Sequence, residues 1–286
     1  MPAPFAQPVI RQADLHDVTA ISRFMDESVL VHRNLDWQPL LEWVDREPFL
    51  LRLENEKISA LLSCAPDPEG IAWIHAFAMN FWSSDINKIW LSLLQPAILT
   101  LTNLQSNLYS VSLYDWFSKL LKETGFTVLQ NIVVLNWSRN MPPALLLPPE
   151  VLIRPMEPGD IDEVAGLDQQ VFEPIWAISR VSLENAYTNA EHTSVAEIDG
   201  KIIGYELSTA DHLSAHLTRL AVLPGYTHAN IGYTLTREMF EFFTRRGIHH
   251  ITVNTQDNNT ASISLYKKLG FSMTSDTFPV FSLKVS

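Results

Sequence analysis

AHLTRLAVLPGYTHANIGYTLTREMFEFFTRRGIHHITVNTQDNNTASISLYKKLGF, residues 215–271, decides the fold. Residues 216–223 form a β-rich run that Pro224 stops. A helix follows, with Leu235, Met239, Phe242 and Phe243 spaced for one side of it, until Gly247 ends it. Ile251 and Val253 then carry a second strand, and residues 259–269 a second helix. Between the first strand and helix lie Gly225, Tyr226, Thr227, His228, Ala229, Asn230, Ile231 and Gly232. The backbone N–H groups of such a loop sit at a helix N-terminus, where unsatisfied amides and the helix dipole favour an anion.

Two motifs in this stretch resemble the GNAT acyltransferase family, whose members move an acyl group from acyl-CoA to an amine. The family's pyrophosphate loop, Arg or Gln, two residues, Gly, one residue, Gly or Ala, aligns with Thr227, His228, Ala229, Asn230, Ile231 and Gly232. Thr227 lacks the long polar side chain and Asn230 replaces a glycine, although Asn tolerates positive φ better than most residues. Downstream, Asn259, Ser262, Leu265, Tyr266, Gly270 and Phe271 follow the family's Asn-x-x-Ala/Ser-x-x-Leu-Tyr-x-x-x-Gly-Phe run position by position. Together, at this spacing, the two motifs are far more specific than a lone glycine loop.

The rest of the chain bounds this reading. With 286 residues, 47% of them hydrophobic, there is material for one large core or two ordinary ones. Twenty basic against 32 acidic residues give a net charge of −12, which disfavours nucleic acid and anionic membranes as partners and suits a cationic amine. Cys64 is the only cysteine, so no intrachain disulfide is available. The first residues lack a basic segment followed by an apolar one, and a cytoplasmic protein is expected. Residues 89–114 contain no charge, but Ser92, Gln95, Pro96, Thr100, Thr102, Asn103 and Gln105 interrupt their apolar character, so they read as a buried helix followed by a strand.

The chain also repeats itself. Residues 9–14, VIRQAD, open as a strand leading into a helix over 14–25 with Asp14 as its cap, and residues 152–160 repeat the opening. Arg11 and Arg154 are 143 residues apart, Lys57 and Lys201 are 144 apart, and Gly125-Phe126 and Gly270-Phe271 are 145 apart. Three ordered matches at a nearly constant offset argue for an internal duplication. Residues 140–150 hold four prolines and read as a semi-rigid connector, placing the boundary near Leu147 and giving domains 1–147 and 148–286. Each half is expected to run strand, helix, helix, three strands, helix, strand, helix and a final strand pair. Asp199-Gly200, between two alternating runs, is a hairpin signal. The fold class is α+β (mixed α/β), and the resemblance implies two tandem GNAT-like domains, each a mostly antiparallel sheet flanked by helices.

The halves are unequal. Eight of the ten glycines follow Leu147, and seven of the eight tryptophans precede it. The first half's counterpart of the phosphate loop, residues 79–86, has no glycine and places Asp85 where it caps the helix and repels an anion. Leu121 stands at the position of Tyr266. The first half thus reads as a degenerate copy without a CoA-phosphate loop.

Amine acylation by a thioester needs a bound donor, a neutral amine, oxyanion stabilisation and a proton for the departing thiolate. The resemblance implies acetyl-CoA as co-substrate, its pantetheine arm paired with Leu220, Ala221 and Val222. The loop from Thr227 through His228, Ala229, Asn230 and Ile231 to Gly232, with Tyr233, would hold the pyrophosphate, alongside Asn259. Tyr266 would be the general acid. Glu206, His216 and Asp211 are all candidates for the base, and Glu173, Pro174 and Trp176 fall where the family builds its acceptor wall. His212 with His216 lacks the helical setting that a metal pair needs, and no metal is expected. The expected activity is N-acetylation of a primary amine on a small molecule or protein, with a homodimer as the expected assembly. The alternative is an acyl-CoA-binding sensor without turnover. A Rossmann oxidoreductase is disfavoured because the loop does not follow the first strand of a βαβ unit.

Overall fold

A computed structural model describes residues 7–34, 37–80, 85–138 and 140–285. The chain folds into two compact units, residues 1–129 with 278–286, and residues 130–277. The expected boundary near Leu147 is therefore displaced. The chain leaves the first unit within one long strand and returns to it within another, so each unit includes a strand segment from the other half of the sequence.

In the first unit β1 (Val9–Gln12) leads through a single 3-10 turn into α1 (Val18–Glu27), and Asp14 accepts from the His16 N–H as its cap. Then come β2 (Leu30–Arg33), β3 (Phe49–Glu54), β4 (Lys57–Ser63), β5 (Ile71–Trp73), β6 (Ala76–Met79), α2 (Ile86–Asn103), β7 (Asn107–Val111), α3 (Asp115–Glu123) and the start of β8 (Thr127–Ser138). Where a second helix is expected, this half has β2 and a 3-10 turn at Leu40–Trp43, in a segment punctuated by Pro39 and Pro48. One sheet runs β1-β3-β4-β6-β2. The uncharged stretch forms α2 and β7 as expected, and among the described residues no helix is long and apolar enough to cross a membrane. Its core gathers Phe77, Trp90, Leu93, Phe117 and Phe281.

The second unit comprises the rest of β8, then β9 (Leu152–Pro155), α4 (Ile161–Val171), α5 (Arg180–Asn189), β10 (His192–Ile198), β11 (Lys201–Ala210), β12 (Ser214–Val222), α6 (Ile231–Arg245), β13 (His250–Gln256), α7 (Thr260–Lys268) and the beginning of β14 (Phe271–Leu283). Its strands run β14-β8-β13-β12-β11-β10-β9; from β8 onward the neighbours are antiparallel except for the β12–β13 pair. The expected final strand pair is one continuous strand, because residues 271–277 serve the second unit and Val280–Leu283 pair with β7 in the first. The Asp199-Gly200 hairpin forms as read, with φ of 50° and 79°. Leu235, Met239, Phe240 and Phe243 of α6 are buried, and α6 packs on β10, β11 and β12. The apolar residues of α4 turn it onto β11 and β12.

The duplication reaches side-chain geometry. Arg11 forks onto Asp17 with two bonds of 2.6 Å, and Arg154 forks onto Asp160 at 2.7 and 2.9 Å. In each copy the aspartate also accepts the backbone N–H three residues before it, from Asp14 at 2.9 Å and from Glu157 at 2.8 Å. Both strand-to-helix entries are built on the same clamp.

Candidate functional site

β12 and β13 run parallel from Ser214↔His250 to Leu217↔Val253, and the ladder stops there although both strands continue. On its other edge β12 stays paired with β11 as far as Val222, with a register shift that leaves Thr218 as a bulge. The stretch from Thr218 to Val222 thus offers one edge of backbone N–H and C=O groups to an extended ligand, with Leu220, Ala221 and Val222 in it.

The loop after β12 is a single 3-10 turn, Pro224–Tyr226, followed by Asn230 in the left-handed region at φ 59°. Asn230 makes no side-chain cap bond to α6; its Nδ2 donates instead to the Leu146 carbonyl at 3.2 Å. The first helical bond runs from the Thr234 N–H to the Asn230 carbonyl, so the amides of Ile231, Gly232 and Tyr233 point out of the helix end. Thr227 turns its hydroxyl onto the Pro224 carbonyl, and the Ala229 amide bonds the Tyr226 carbonyl. His228 is exposed. A Cβ on Gly232 would lie 3.3 Å from Leu265 Cδ2, 3.6 Å from Val222 and 3.7 Å from Leu220. Only glycine leaves the wedge between α6, β12 and α7 open.

Asn259 caps α7, its Oδ1 accepting the Ser262 N–H at 3.1 Å, and Gly270 at φ 93° ends it. Between them Tyr266 is 6% exposed, edge-on to Phe271, in a cluster with Tyr233, Phe240 and Leu269. Burial pushes its phenol well above the ordinary tyrosine range, against a smaller opposing effect from Ser262, so the proton stays on oxygen at neutral pH.

The three candidate bases occupy different surroundings. Glu206 is fully buried on the α6 side of β11; one oxygen lies 2.7 Å from His192 Nδ1 and the other takes the Ser208 hydroxyl. Burial raises its carboxyl, with His192 and Ser208 opposing. The His192 ring in turn leans on Phe242 of α6. Asp211 accepts the Leu213 and Ser214 amides, each at 2.7 Å, and these bonds hold it below the usual carboxylate range as a loop-forming residue. His216 lies 2.8 Å from Thr252 Oγ1 and burial lowers it to about 4, which leaves the ring neutral.

Sequence reasoning missed a buried network on the α4 side of β12. Arg219 donates to both carboxylate oxygens of Asp168, to the Tyr205 hydroxyl at 3.0 Å and to the Trp176 carbonyl at 2.7 Å. Its guanidinium also lies 4.0 Å from the Phe172 ring centroid. Asp168 and Tyr205 are fully buried, and burial pushes the Tyr205 phenol up. The legible signal is an acid among Val164, Ala165, Leu167 and Val171 on the apolar face of a helix. Glu173, Pro174 and Trp176 follow α4, where the Trp176 amide bonds the Glu173 carbonyl.

The corresponding region of the first unit differs. β6 has β4 on one edge and β2 on the other, from Leu30↔Met79 to Arg33↔Ala76. Asp85, expected to cap α2, makes no side-chain cap bond and pairs with Lys88 at 3.0 Å. Residues 81–84 of the loop counterpart lie outside the described residues. Leu121 is buried. Among the described residues no group of three or more His, Cys, Asp or Glu is placed to hold a metal ion.

Residues 161–271 match the model of the Acetyltransferase (GNAT) family. A Bacillus subtilis relative named for N-acetylating alanine of ribosomal protein bS18 is 29% identical over 121 residues, 41% of this chain and 78% of that one. An uncharacterised N-acetyltransferase of Methanocaldococcus jannaschii is 25% identical over 123 residues, 42% of this chain and 78% of that one. Among solved structures, a tandem GNAT protein from the clavulanic acid biosynthesis pathway superposes with a TM-score of 0.68 at 13% identity, covering 98% of this chain and 99% of that one. A GCN5-related N-acetyltransferase from Sphaerobacter thermophilus gives 0.64 at 15% identity, covering 98% and 96%. At such identities the two structures speak to the fold alone.

Proposed function

We propose that this chain, whose residues 161–271 match the model of the Acetyltransferase (GNAT) family, transfers an acetyl group from acetyl-CoA to a primary amine of a small molecule or protein. The observation that carries the reading is the divergence of β12 from β13 after Leu217↔Val253, next to the uncapped N-terminus of α6. The strand edge suits the amide-rich pantetheine arm and the helix end suits the pyrophosphate. Leu220, Ala221 and Val222 would meet the arm, and the loop from Thr227 to Tyr233 the phosphates. Asn259 would act indirectly, by setting the start of α7.

In the proposed step the amine nitrogen attacks the thioester carbonyl, and the tetrahedral intermediate collapses as the C–S bond breaks. Tyr266 gives its proton to the leaving thiolate; it is protonated at neutral pH, although burial makes it a weaker acid than a free tyrosine. The amine must lose a proton. His216 suits this better than Glu206 by position alone, because its ring lies on the α4 side, whereas Glu206 is engaged by His192 and Ser208 on the α6 side. The first half is read as a degenerate copy, since β2 holds the edge of β6 that answers to the donor-binding edge of β12.

A sensor without turnover is the second reading, favoured by the Thr227 hydroxyl being engaged by its own loop. Thiol release from acetyl-CoA over a panel of primary amines and an alanyl peptide separates the two. Release that falls about 100-fold or more in Tyr266→Phe supports transfer. Binding with no release from any acceptor sinks it.

A further inference from the structure

The acyl group of a donor held along residues 218–222 has two sides from which an amine can approach. The α6 side is closed: Leu217 packs into a core with Met239, Phe240 and Phe243, and Leu220 packs against it. Strand alternation, reset by the bulge at Thr218, sends His216 and Arg219 to the other side. That side is covered by the connection between α4 and α5, residues 172–179.

Arg219 ties this connection to the donor strand. Its fork grips Asp168 at the end of α4, and one nitrogen also holds the Trp176 carbonyl. The Phe172 ring lies under the guanidinium, and Asp168 Oδ1, which takes one guanidinium nitrogen at 2.8 Å, also accepts the Ile178 N–H at 3.0 Å. Phe172, Trp176 and Ile178 therefore all reference one guanidinium whose backbone sits between Thr218 and Leu220. A buried ion pair is a poor source of stability, because desolvation offsets most of its attraction, but it is a demanding geometric device. Lysine at this position would keep the charge and lose the fork.

We propose that Arg219, with Asp168 and Tyr205, is a positioning residue that sets the width and register of the amine-acceptor cleft by fixing residues 172–178 against the donor strand. The proposal rests on the acetyltransfer reading above. It predicts that the clamp governs acceptor binding and choice while donor binding is independent of it, since the donor is proposed to meet the backbone of residues 218–222 and the loop at 224–233, whereas every contact of the clamp is made by the Arg219 side chain, which points away from the donor edge to the α4 side.

The test uses the full chain, acetyl-CoA, and the panel amine with the highest wild-type kcat/KM. In Arg219→Lys the Kd for acetyl-CoA is expected to stay within about twofold while KM for the amine rises about tenfold or more, with kcat within about threefold and the panel's rank order altered. Amide exchange at Ile178 is expected to quicken about tenfold. Should Arg219→Lys fail to fold, Asp168→Asn is read by the same assays. Wild-type turnover with an unchanged amine KM and rank order in the variant overturns this inference alone. A parallel loss of acetyl-CoA binding also overturns it, by making the clamp a general scaffold. No turnover by the wild type over the whole panel overturns the acetyltransfer reading and this inference together.

Discussion

Gly232 is the sharpest point at which to break the proposed donor site. A helix interior gains about 1 kcal/mol when glycine becomes alanine. Here the new Cβ stands 3.3 Å from Leu265 Cδ2, a contact that a shift of a few tenths of an ångström at the tip of a side chain relieves. The two effects oppose, so Gly232→Ala should leave stability within about 1 kcal/mol of wild type. Valine adds two methyls in the same direction, toward Val222 and Leu220 as well, and should cost about 1–3 kcal/mol of overpacking. Its effect on the donor is larger, because the branch fills the wedge between α6, β12 and α7 beside the strand edge proposed for the pantetheine arm. Losing one hydrogen bond to a charged phosphate costs about 1.5–3 kcal/mol, roughly a 10-fold to 100-fold rise in Kd. Displacement of the arm adds to that. Isothermal titration with acetyl-CoA, alongside urea unfolding without ligand, separates the two consequences. Gly232→Val binding acetyl-CoA with wild-type affinity would refute the placement of the donor in this wedge.

Two further predictions concern the scaffold. Asn230 holds φ 59° and bonds the Leu146 carbonyl, so Asn230→Gly should leave stability nearly unchanged, while Asn230→Val should lose about 2 kcal/mol in urea unfolding from the left-handed backbone alone. Burial lowers His216 to about 4 and His32 to about 3, against an ordinary 6.5 in the unfolded chain. Below pH 6.5 the unfolded chain takes up protons that the folded one refuses, so stability is whole above 6.5 and falls until pH meets each folded value. For His216 that loss is about 3 kcal/mol by pH 4, and His216→Gln should remove it from the unfolding profile; an unchanged acid slope would show that the ring is not held neutral.

How much of this was legible in the sequence depended on how local the cause was. Asn259, Gly270 and the Asp199-Gly200 turn were readable because caps and hairpin turns are decided by a few neighbouring residues. The α6 stripe was readable because burial repeats with the helical period. The Arg11 and Arg154 openings were matched as strings, and the structure adds their aspartates, six residues on in each. Glu206 reads in the sequence only as a candidate base, because nothing local shows that His192, fourteen residues earlier, comes beside it across the β10–β11 hairpin. The Arg219–Asp168 pair spans fifty-one residues, so only the misfit of an acid on an apolar helix face betrayed it. The boundary near Leu147 followed the prolines, but proline marks where a chain cannot be regular, not which core a strand joins. That question was decided by β8 pairing with β13.

The comparison of the two halves turns on one strand edge. In both, a hairpin delivers a strand to the start of a helix, β4 to β6 and then α2, β11 to β12 and then α6. An exposed edge of N–H and C=O groups must be paired, covered or solvated. The first half pairs it with its own residues Leu30–Arg33, a local solution that buries Leu30 and His32. The second half ends its parallel ladder at Leu217↔Val253, and the residues that follow are the edge proposed for the donor. On the proposed reading the scarcity of glycines in the first half is secondary: with β2 lying on β6, an open phosphate loop there would have no donor to serve. Introducing glycines into residues 79–86 should then fail to add a second acetyl-CoA binding event in titrations of the full chain, and a gain of such an event would overturn the argument.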